Sequence, residues 1–537
     1  MNLLIYREVH KETKSFMLIR ELNRKILIAL LLASGISVNA IEPNLIEAAR
    51  KSDSESLRSL LEGGTDPNTR QADGATALHW SVHKRDIESV NLLLESNADV
   101  NATNRMGASP LFLAARNGDA DLIEKLLSEG ANPNLELEMG ETVLMTAARS
   151  GTVEGVRFLI QAGADLNRSE SSRDQTALMW AAAQGHLGVV RELIAAGANI
   201  NDRSKVRSML MFVDGSNGGA FDHGVMENLG GYSPLLFAAK NGHLELAEVL
   251  LQSGANIDGP SGNGATPLVV AVHSGHSDLA AMLLDHGADP NSISAGYNAL
   301  HAAILRGDSA IIEALLQHGA DPNQRILKAT PTQRASEDWV LRTAHVTATP
   351  YWLAANFREP AIMKTLVGWG ADYSLTNEKE YERLRDRRSR ENPPSIDERR
   401  VVGGYSSPIQ SAIKGESRRG RFYVQANQDP TGEEKLALES VIVAADHGVN
   451  IDAIDFNGST ALHDAALRNL SKVVMELAIR GASINVLNDS GQTPLDLAIL
   501  GERRLASNIL ASETPESSGP SARAVLEGLG ALKSEEL

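Results

Sequence analysis

Three histidines are the first candidates for chemistry, because each occupies the same place in a recurring motif. His79, His301 and His463 stand fourth in TALH, NALH and TALH. Histidine is a common metal ligand, and it can act as an acid or base near neutral pH. Each of these histidines recurs with the start of a predicted helix, however, so we interpret them as structural residues. The histidines in Gly-His turns are interpreted in the same way: His186, His243 and His276.

A second candidate is the segment Asp214 to Asp222, DGSNGGAFD, which has a weak resemblance to a calcium-binding loop. An EF-hand loop needs an oxygen ligand at its fifth position and a glutamate at its twelfth. Gly218 and Val225 occupy those positions. We therefore expect no calcium site, and the glycines favour a flexible loop that could become ordered on binding.

Arg418, Arg419 and Arg421 precede Phe422 and Tyr423, which is a small basic and aromatic patch. The whole chain has 51 Lys and Arg against 68 Asp and Glu, a formal charge of −17. Nucleic-acid binding needs clustered positive charge, so an acidic chain with one such patch argues against it. We expect an exposed loop whose aromatic rings pack back on the protein, and partners that are polar or basic.

The residues needed for common catalytic sites are missing from the sequence. It has no cysteine, which excludes disulfides, thiol catalysis and cysteine-bound zinc. No Ser-His-Asp order, phosphate-binding glycine loop or zinc-protease helix occurs. We predict a noncatalytic protein without metal or cofactor, although one sequence leaves open a site assembled between insertions.

The element that must position these residues is clearest in the stretch from Ser233 to Asp258. Ser233 is a good helix N-cap, and Pro234 suits the first helical position. Asn241-Gly242 ends this helix, and a second helix follows with Leu244, Ala247 and Leu251 as its predicted apolar stripe. Gly254 occupies the left-handed position that closes a helix. A helix pair this short cannot bury its apolar face alone, so it needs neighbours of the same kind.

Equivalent positions recur along the chain, most often 32–34 residues apart and further apart where an insertion intervenes. The spacing and the closing signatures GADPN, GANPN, GADLN and GANIN define about twelve repeats, the first at Leu45. At Asn97 asparagine replaces the closing glycine, and asparagine also tolerates the left-handed conformation. The equivalents of Ser233 are Thr76, Ser109, Thr142, Thr176, Thr266, Asn298, Thr349, Ser407, Thr460 and Thr493.

This period and the TALH motifs at Thr76 and Thr460 resemble ankyrin-repeat proteins, from about Leu45 to Ser512. The succession of TALMWAAAQGH, SPLLFAAKNGH, TPYWLAA and TPLDLA also resembles exported bacterial ankyrin proteins of undefined role. The resemblance implies an all-α repeat solenoid whose motif histidines bridge neighbouring repeats. It also implies partner contacts on the concave face, at the loop tips and just after the paired alanines of each first helix. Those positions are Arg105, Met106, Arg116, Asn117, Arg149, Ser150, Lys240, Asn241, His273 and Ser274.

The first forty residues predict export. Arg20, Arg24 and Lys25 precede the short apolar run from Ile26 to Ala33, and small residues follow up to Ala40. This is the pattern of a cleaved signal peptide, and the run is short for a membrane span. The alternatives are an uncleaved signal anchor and a buried N-terminal helix. Met17 could be the true start, which would make residues 1–16 an extension. We expect a periplasmic or extracellular monomer.

Four insertions interrupt the repeats, at about 202–231, 324–348, 378–405 and 416–435. The first three fall in hairpin loops between repeats and the fourth falls between the two helices of one repeat. Long loops in compact repeats are usually functional or disordered. We therefore predict a protein-binding scaffold that uses the insertions, with Trp339 as a possible anchor and residues 513–537 as a tail. The alternatives are an inhibitor or regulator of an exported enzyme, and a stabilising periplasmic scaffold for a stress-related enzyme.

Overall fold

The computed structural model describes residues 44–212, 224–328, 330, 341, 345–378, 380–381, 401–415, 430–509 and 520–537. The chain divides into two compact bodies between Ala164 and Asp165. We call residues up to Ala164 the N-terminal body and residues from Asp165 the C-terminal body. The predicted signal peptide, Trp339, the segment from Asp214 to Asp222 and the patch from Arg418 to Tyr423 lie outside the described residues.

The N-terminal body consists of four helix pairs in the part of it that the structure describes. Each pair has a first helix of seven or eight residues and a second of nine. In chain order the helices are α1 Leu45–Lys51, α2 Ser54–Glu62, α3 Ala77–Lys84, α4 Ile87–Glu95, α5 Pro110–Asn117, α6 Ala120–Ser128, α7 Val143–Ser150 and α8 Val153–Gln161.

The C-terminal body continues the helix pairs and adds two short antiparallel sheets. Its regular helices are α9 Ala177–Gln184, α10 Leu187–Ala195, α11 Pro234–Asn241, α12 Leu244–Gln252, α13 Pro267–Ser274, α14 Ser277–Asp285, α15 Ala299–Arg306 and α16 Ser309–Gln317. The insertion-bearing end has α17 Pro350–Asn356, α18 Pro360–Gly368, α19 Pro408–Lys414, α20 Pro430–Asp446, α21 Ala461–Leu467, α22 Ser471–Ile479, α23 Pro494–Ile509 and α24 Ala522–Gly528. The strands are β1 Arg207–Phe212, β2 Gly224–Leu229, β3 Glu380–Tyr381 and β4 Val401–Gly403.

The helices of the regular repeats begin and end where the sequence predicts, because their caps satisfy the free backbone groups at both ends. The hydroxyl of Ser109 accepts a hydrogen bond from the backbone N–H of Phe112 (3.2 Å), and Pro110 takes the first helical position. Gly118 closes α5 in the left-handed region (φ 68°). Asn97 is also left-handed (φ 63°), which confirms that asparagine replaces glycine there.

The prediction for the second helix at Ser233 was partly wrong. The hydroxyl of Ser233 caps α11 as expected, and Gly254 has a φ of +94°. In α12, however, Leu246, Ala247 and Leu250 are buried, whereas Leu244 is 39% exposed. The helix turns a different stripe inward because its rotation is set by contacts with α11 and with the second helices on either side.

The recurring asparagine of the closing signature holds successive repeats in register. Asn101 accepts from the backbone N–H of Asn132 (2.7 Å) and donates to the carbonyl of Gly130 (3.0 Å). In the C-terminal body Asn201 makes the same pair of bonds with Asn256 and Gly254, across the first insertion. The frame of the repeats is therefore unbroken where the loop is long.

The last two helices that the structure describes, α23 and α24, form a further helix pair. Helix α23 runs continuously from Pro494 to Ile509. Gly501 lies within α23, and because it has no side chain the helix can pass close to the carbonyl of Leu467. The second helix of this repeat is α24, which packs on α22 and α23. Leu532 then donates to Asn485 (2.8 Å), the bond that other repeats use.

Candidate interaction surface

The motif histidines are buried links between repeats. In the N-terminal body the Nδ1 atom of His79 accepts from the backbone N–H of Thr76 (3.1 Å). Its Nε2 atom lies 3.0 Å from the carbonyl of Ala108, one repeat further on. Burial lowers the pKa of His79, so the neutral ring uses both nitrogens for these bonds. Both ring nitrogens of His79 are therefore engaged in structural hydrogen bonds.

His301 and His463 make the same link in the C-terminal body. Nε2 of His301 lies 2.9 Å from the carbonyl of Gln324, and that of His463 lies 3.1 Å from the carbonyl of Gln492. Burial lowers the pKa of His301 to about 4. Among the residues that the structure describes, no group of three His, Asp or Glu side chains could hold a metal ion.

The predicted contact residues of the N-terminal body lie at a hairpin tip and in the last turns of the first helices. Two of them also join neighbouring repeats. The Nδ2 atom of Asn117 donates to the carbonyls of Val82 (3.2 Å) and His83 (3.3 Å). The hydroxyl of Ser150 donates to the carbonyl of Ala115 (2.9 Å). We call this surface of each body its hairpin face.

The other predicted contact residues of the N-terminal body project from the joined repeats. Arg105 is exposed, and the neighbouring Met106 is 69% exposed at the hairpin tip. Arg116 is exposed and lies 3.4 Å from Nδ1 of His83. Arg149 forms an ion pair with Glu141 (3.3 Å). The hairpin face therefore presents cations beside exposed methionine.

In the C-terminal body the predicted residues again divide into two groups. Asn241 donates to the carbonyl of Ala183 (3.0 Å) and so joins two repeats. Lys240 is exposed, with its Nζ atom 5.6 Å from the ring centroid of Tyr232. His273 is half-buried, 6.3 Å from the ring centroid of Tyr297, and Ser274 beside it is half-buried too. Burial raises the pKa of Tyr232, so its hydroxyl stays protonated.

The first insertion forms a hairpin that the sequence analysis missed. Strands β1 and β2 pair in antiparallel register, with Arg207 opposite Leu229. The carboxylate of Glu227 on β2 is buried and forms an ion pair with Lys328, in the second insertion. The mixed apolar and polar run from Lys205 to Phe212 was the available strand signal, but the glycines after it favoured a loop.

The second and third insertions are joined in a similar way. The guanidinium of Arg325 pairs with Glu378 (3.3 Å) and donates to the carbonyls of Thr347 and Thr376. The backbone N–H of Tyr405 donates to the carbonyl of Asn377 (2.8 Å). The described parts of the three hairpin insertions therefore form one connected edge within the C-terminal body.

A cluster of charges lies where the repeats at Ser407 and Thr460 meet. Lys414 pairs with Asp455 (2.6 Å) and Asp464 (3.1 Å). Burial, reinforced by the charge of Asp455, raises the pKa of Asp464 to about 6, although Lys414 opposes the shift. Burial also opposes the charge of Lys414, but the two carboxylates hold the pKa of Lys414 above its ordinary value. The cluster is held within the protein and offers little surface to a ligand.

The tryptophans that the structure describes differ in exposure. Trp80 is half-buried, and its Nε1 atom donates to Gln71 (3.2 Å). Trp180 is half-buried and Trp352 is buried. Trp369 is 45% exposed, which sequence position alone did not suggest. None of the helices in the described ranges is both long and apolar enough to cross a bilayer.

Comparison with known proteins gives matches of one kind. A family model described as ankyrin repeats in three copies matches residues 45–136, 111–204, 215–294 and 237–326, together more than half of the chain. A second model, ankyrin repeats in many copies, matches residues 443–498. An ankyrin repeat protein of Variola virus is 40% identical over 65 residues. That alignment covers 12% of this chain and 12% of the viral protein, so the chain spans about an eighth of its curated relative.

Proposed function

Because the chain belongs to the ankyrin-repeat family, whose members generally mediate protein–protein interaction, we propose that it is a noncatalytic scaffold that binds a protein partner. The partner contacts the hairpin face, at the last turns of the first helices and at the hairpin insertions. The same fold carries many functions, so the proposal rests on the surface and not on the fold alone.

The connected edge formed by the three hairpin insertions is the observation that carries this proposal. The ion pairs from Glu227 to Lys328 and from Arg325 to Glu378 tie loops that are far apart in sequence. Burying the carboxylate of Glu227 is unfavourable unless it is paired. Such an arrangement fixes the bases of the insertions on one side of the C-terminal body, where a single partner can touch all three.

The predicted contact residues suit binding because the backbone beneath them is fixed. Lys240 follows two buried alanines, and the neighbouring Asn241 ties the helix end to the preceding repeat. Side chains that project from an ordered backbone lose little entropy on association. The exposed Met106 and Met209 add flexible apolar contact area.

We also propose that the partner is met outside the cytoplasm. This rests on the basic residues and the apolar run from Ile26 to Ala33 in the sequence. Cell fractionation with mass spectrometry of the N-terminus tests it. A product that stays in the cytosol and retains residues 17–40 would refute export and leave the binding proposal intact.

Deletion of the first insertion tests the binding proposal. Lys205 and Gly231 match Arg105 and Gly107 of a regular hairpin, so removing Val206 to Leu229 leaves a loop of regular length. The full-length chain and the deletion variant would each serve as bait for partner capture and mass spectrometry. We expect the deletion to weaken capture of the main partner and to leave the helical circular dichroism unchanged.

The matched control replaces the same residues with a Gly-Ser linker of equal length, which keeps the loop but removes the strands. Loss of capture in both variants assigns binding to the hairpin itself. Undiminished capture by the deletion variant and by a variant with Arg116 and Lys240 reversed in charge, both folded, would contradict the proposal.

A further inference from the structure

The three consecutive repeats that begin at Ser233, Thr266 and Asn298 separate charge between their two helices. Their first helices, α11, α13 and α15, contain no Asp or Glu and carry a cationic or imidazole side chain in the last turn. Their second helices, α12, α14 and α16, contain no Lys or Arg. The second helices instead expose the acids Glu245, Glu248, Asp278, Asp285 and Glu313.

Helix stability alone does not explain this separation. The helix dipole favours cations in a last turn, which accounts for Lys240 and Arg306. The same dipole disfavours an acid at a C-terminus, yet Asp285 is the last residue of α14. First helices without acids also occur at Ser109, Thr142 and Thr176. Among the helix pairs that the structure describes in the C-terminal body, these three repeats are the ones that combine such a first helix with a second helix free of Lys and Arg, so all the charged cationic groups of their helices lie on the first-helix side.

The three last turns lie side by side. The Nε2 atom of His276 is 3.1 Å from the carbonyl of Lys240, which brings the second repeat against the first. The guanidinium of Arg306 donates to the carbonyl of His273 (3.1 Å), which brings the third against the second. Lys240, His273 and Arg306 therefore form a continuous line, which we call the cationic row.

Aromatic rings lie beside two members of this row, Lys240 and His273. The ring of Tyr232 lies under the Nζ atom of Lys240 and 5.3 Å from the ring centroid of Phe237. Tyr297 is buried beside His273. A lysine over a ring face keeps its charge available to a partner while the ring supplies apolar contact.

Building on the proposed function, we propose that the cationic row binds an acidic, extended segment of the protein partner. Packed helices lie about 8–10 Å apart, so the row presents its side chains at about that spacing. A segment in the extended polyproline II conformation advances about 3.1 Å per residue with three residues per turn, so carboxylates three positions apart lie on one face about 9 Å from each other and match the row. Charge complementarity thus selects a segment with an acidic residue at every third position.

Synthetic peptides test the charge and the spacing separately. The first fluorescent peptide has glutamate at every third position, the second has the same glutamates in one block, and the third has glutamine throughout. Fluorescence anisotropy with the full chain should show salt-sensitive binding of the first peptide, weaker binding of the second and none of the third. Equal binding of the first and third peptides would overturn the proposal.

Substitutions assign the binding to the row. Lys240→Gln should lower the affinity for the first peptide about two- to fivefold, which is the effect of losing one exposed ion pair. Lys472→Gln makes the same change of charge on the exposed face of α22 and serves as the control. Equal weakening by both would show that only net charge matters and would overturn the proposal.

Two further outcomes separate this inference from the proposed function. A single-stranded oligothymidylate that binds as tightly as the first peptide would reassign the row to nucleic acid. Partner capture that depends on Val206 to Leu229 but is unaffected by Lys240→Gln, with no peptide binding, would refute the row and leave the scaffold proposal standing.

Discussion

The repeat that begins at Ser109 and the repeat that begins at Thr349 turn between their helices by different means. In the first, Gly118 takes the left-handed conformation (φ 68°). In the second, Arg358 takes it (φ 57°), although a side chain is disfavoured there. The guanidinium of Arg358 donates to the carbonyls of Ala412 (3.0 Å) and Ile413 (3.3 Å) and pairs with Glu433.

This comparison shows that the repeat specifies a backbone conformation and not a residue type. The repeat at Ser109 meets the requirement with glycine at little local strain. The repeat at Thr349 accepts the strain and gains a buried clamp on the next repeat. That clamp joins the end of α19 to the start of α20, the two helices between which the fourth insertion lies. The last residues of this predicted insertion, Pro430 to Lys435, belong to α20.

Arg358→Gly gives the sharpest test of this difference. The preference of glycine for a left-handed turn would, by itself, predict that this variant is more stable than the wild type. Loss of a buried, paired guanidinium predicts a decrease of about 3–5 kcal/mol in the free energy of unfolding, which exceeds the relief of strain. We expect a net decrease of about 2–4 kcal/mol by urea unfolding. Gly118→Arg is the matched reversal, and a stabilised Arg358→Gly would mean that the clamp is unimportant.

Two glycines with the same backbone conformation distinguish turn strain from packing. Gly264 (φ +91°) and Gly254 (φ +94°) both lie in the C-terminal body. A Cβ atom at Gly254 meets nothing within 4 Å, whereas one at Gly264 collides with the carbonyl of Ser294 in the next hairpin. Gly254→Ala should lower the free energy of unfolding by about 1–2 kcal/mol, and Gly264→Ala by roughly 1–3 kcal/mol more. If the two variants lose the same amount of stability in urea unfolding, the hairpin that contains Ser294 must shift at little cost in free energy.

Asp464 and Asp496 should respond to pH in opposite directions. The pKa of Asp464 is raised to about 6, so its contribution to stability is full below its unfolded value near 4 and is lost as pH rises through 6. Burial opposes ionisation of Asp496 as well, but hydrogen bonds from Thr493 and Ser534 outweigh it and lower the pKa. Its contribution is therefore present at neutral pH and is lost as the solution becomes acidic.

Relative to the wild type, Asp464→Asn should gain stability between pH 5 and pH 8 by about 1.4 kcal/mol, because about one unit of the pKa difference takes effect in that interval. Asp496→Asn should lose stability at pH 8 and approach the wild type as the pH falls below 4. Urea unfolding at several pH values measures both trends. Parallel trends in the two variants would mean that the cluster around Lys414 does not hold Asp464 as described.

The smallest expected effect on stability comes from reversing the charges of Arg116 and Lys240. Both side chains are exposed on the hairpin face of their own body. Exposed substitutions usually change the free energy of unfolding by less than about 0.5 kcal/mol. We expect unchanged thermal unfolding together with weaker partner capture. Equal loss of stability and capture would show that these residues belong to the frame.

Part of the candidate surface could be predicted from spacing alone. Exposed Arg105, Arg116 and Lys240 follow from their places in the repeat, because the short helix fixes which side chains face outward. Spacing could not separate Asn117, Ser150 and Asn241, which use their polar atoms to join repeats. Whether such a side chain joins two repeats or stays available to a partner depends on the position of a carbonyl in the neighbouring repeat, which the local sequence does not show.

The sequence by itself determined the repeated helix pair, its caps, the left-handed turns and the structural use of the motif histidines. These depend on contacts within one repeat or on a fixed offset to the next, so a short motif encodes them. Only the tertiary structure decided how the insertions meet, through Glu227 with Lys328 and Arg325 with Glu378. Those pairs join loops at irregular separations, and only the stacking of the repeats brings their charges together.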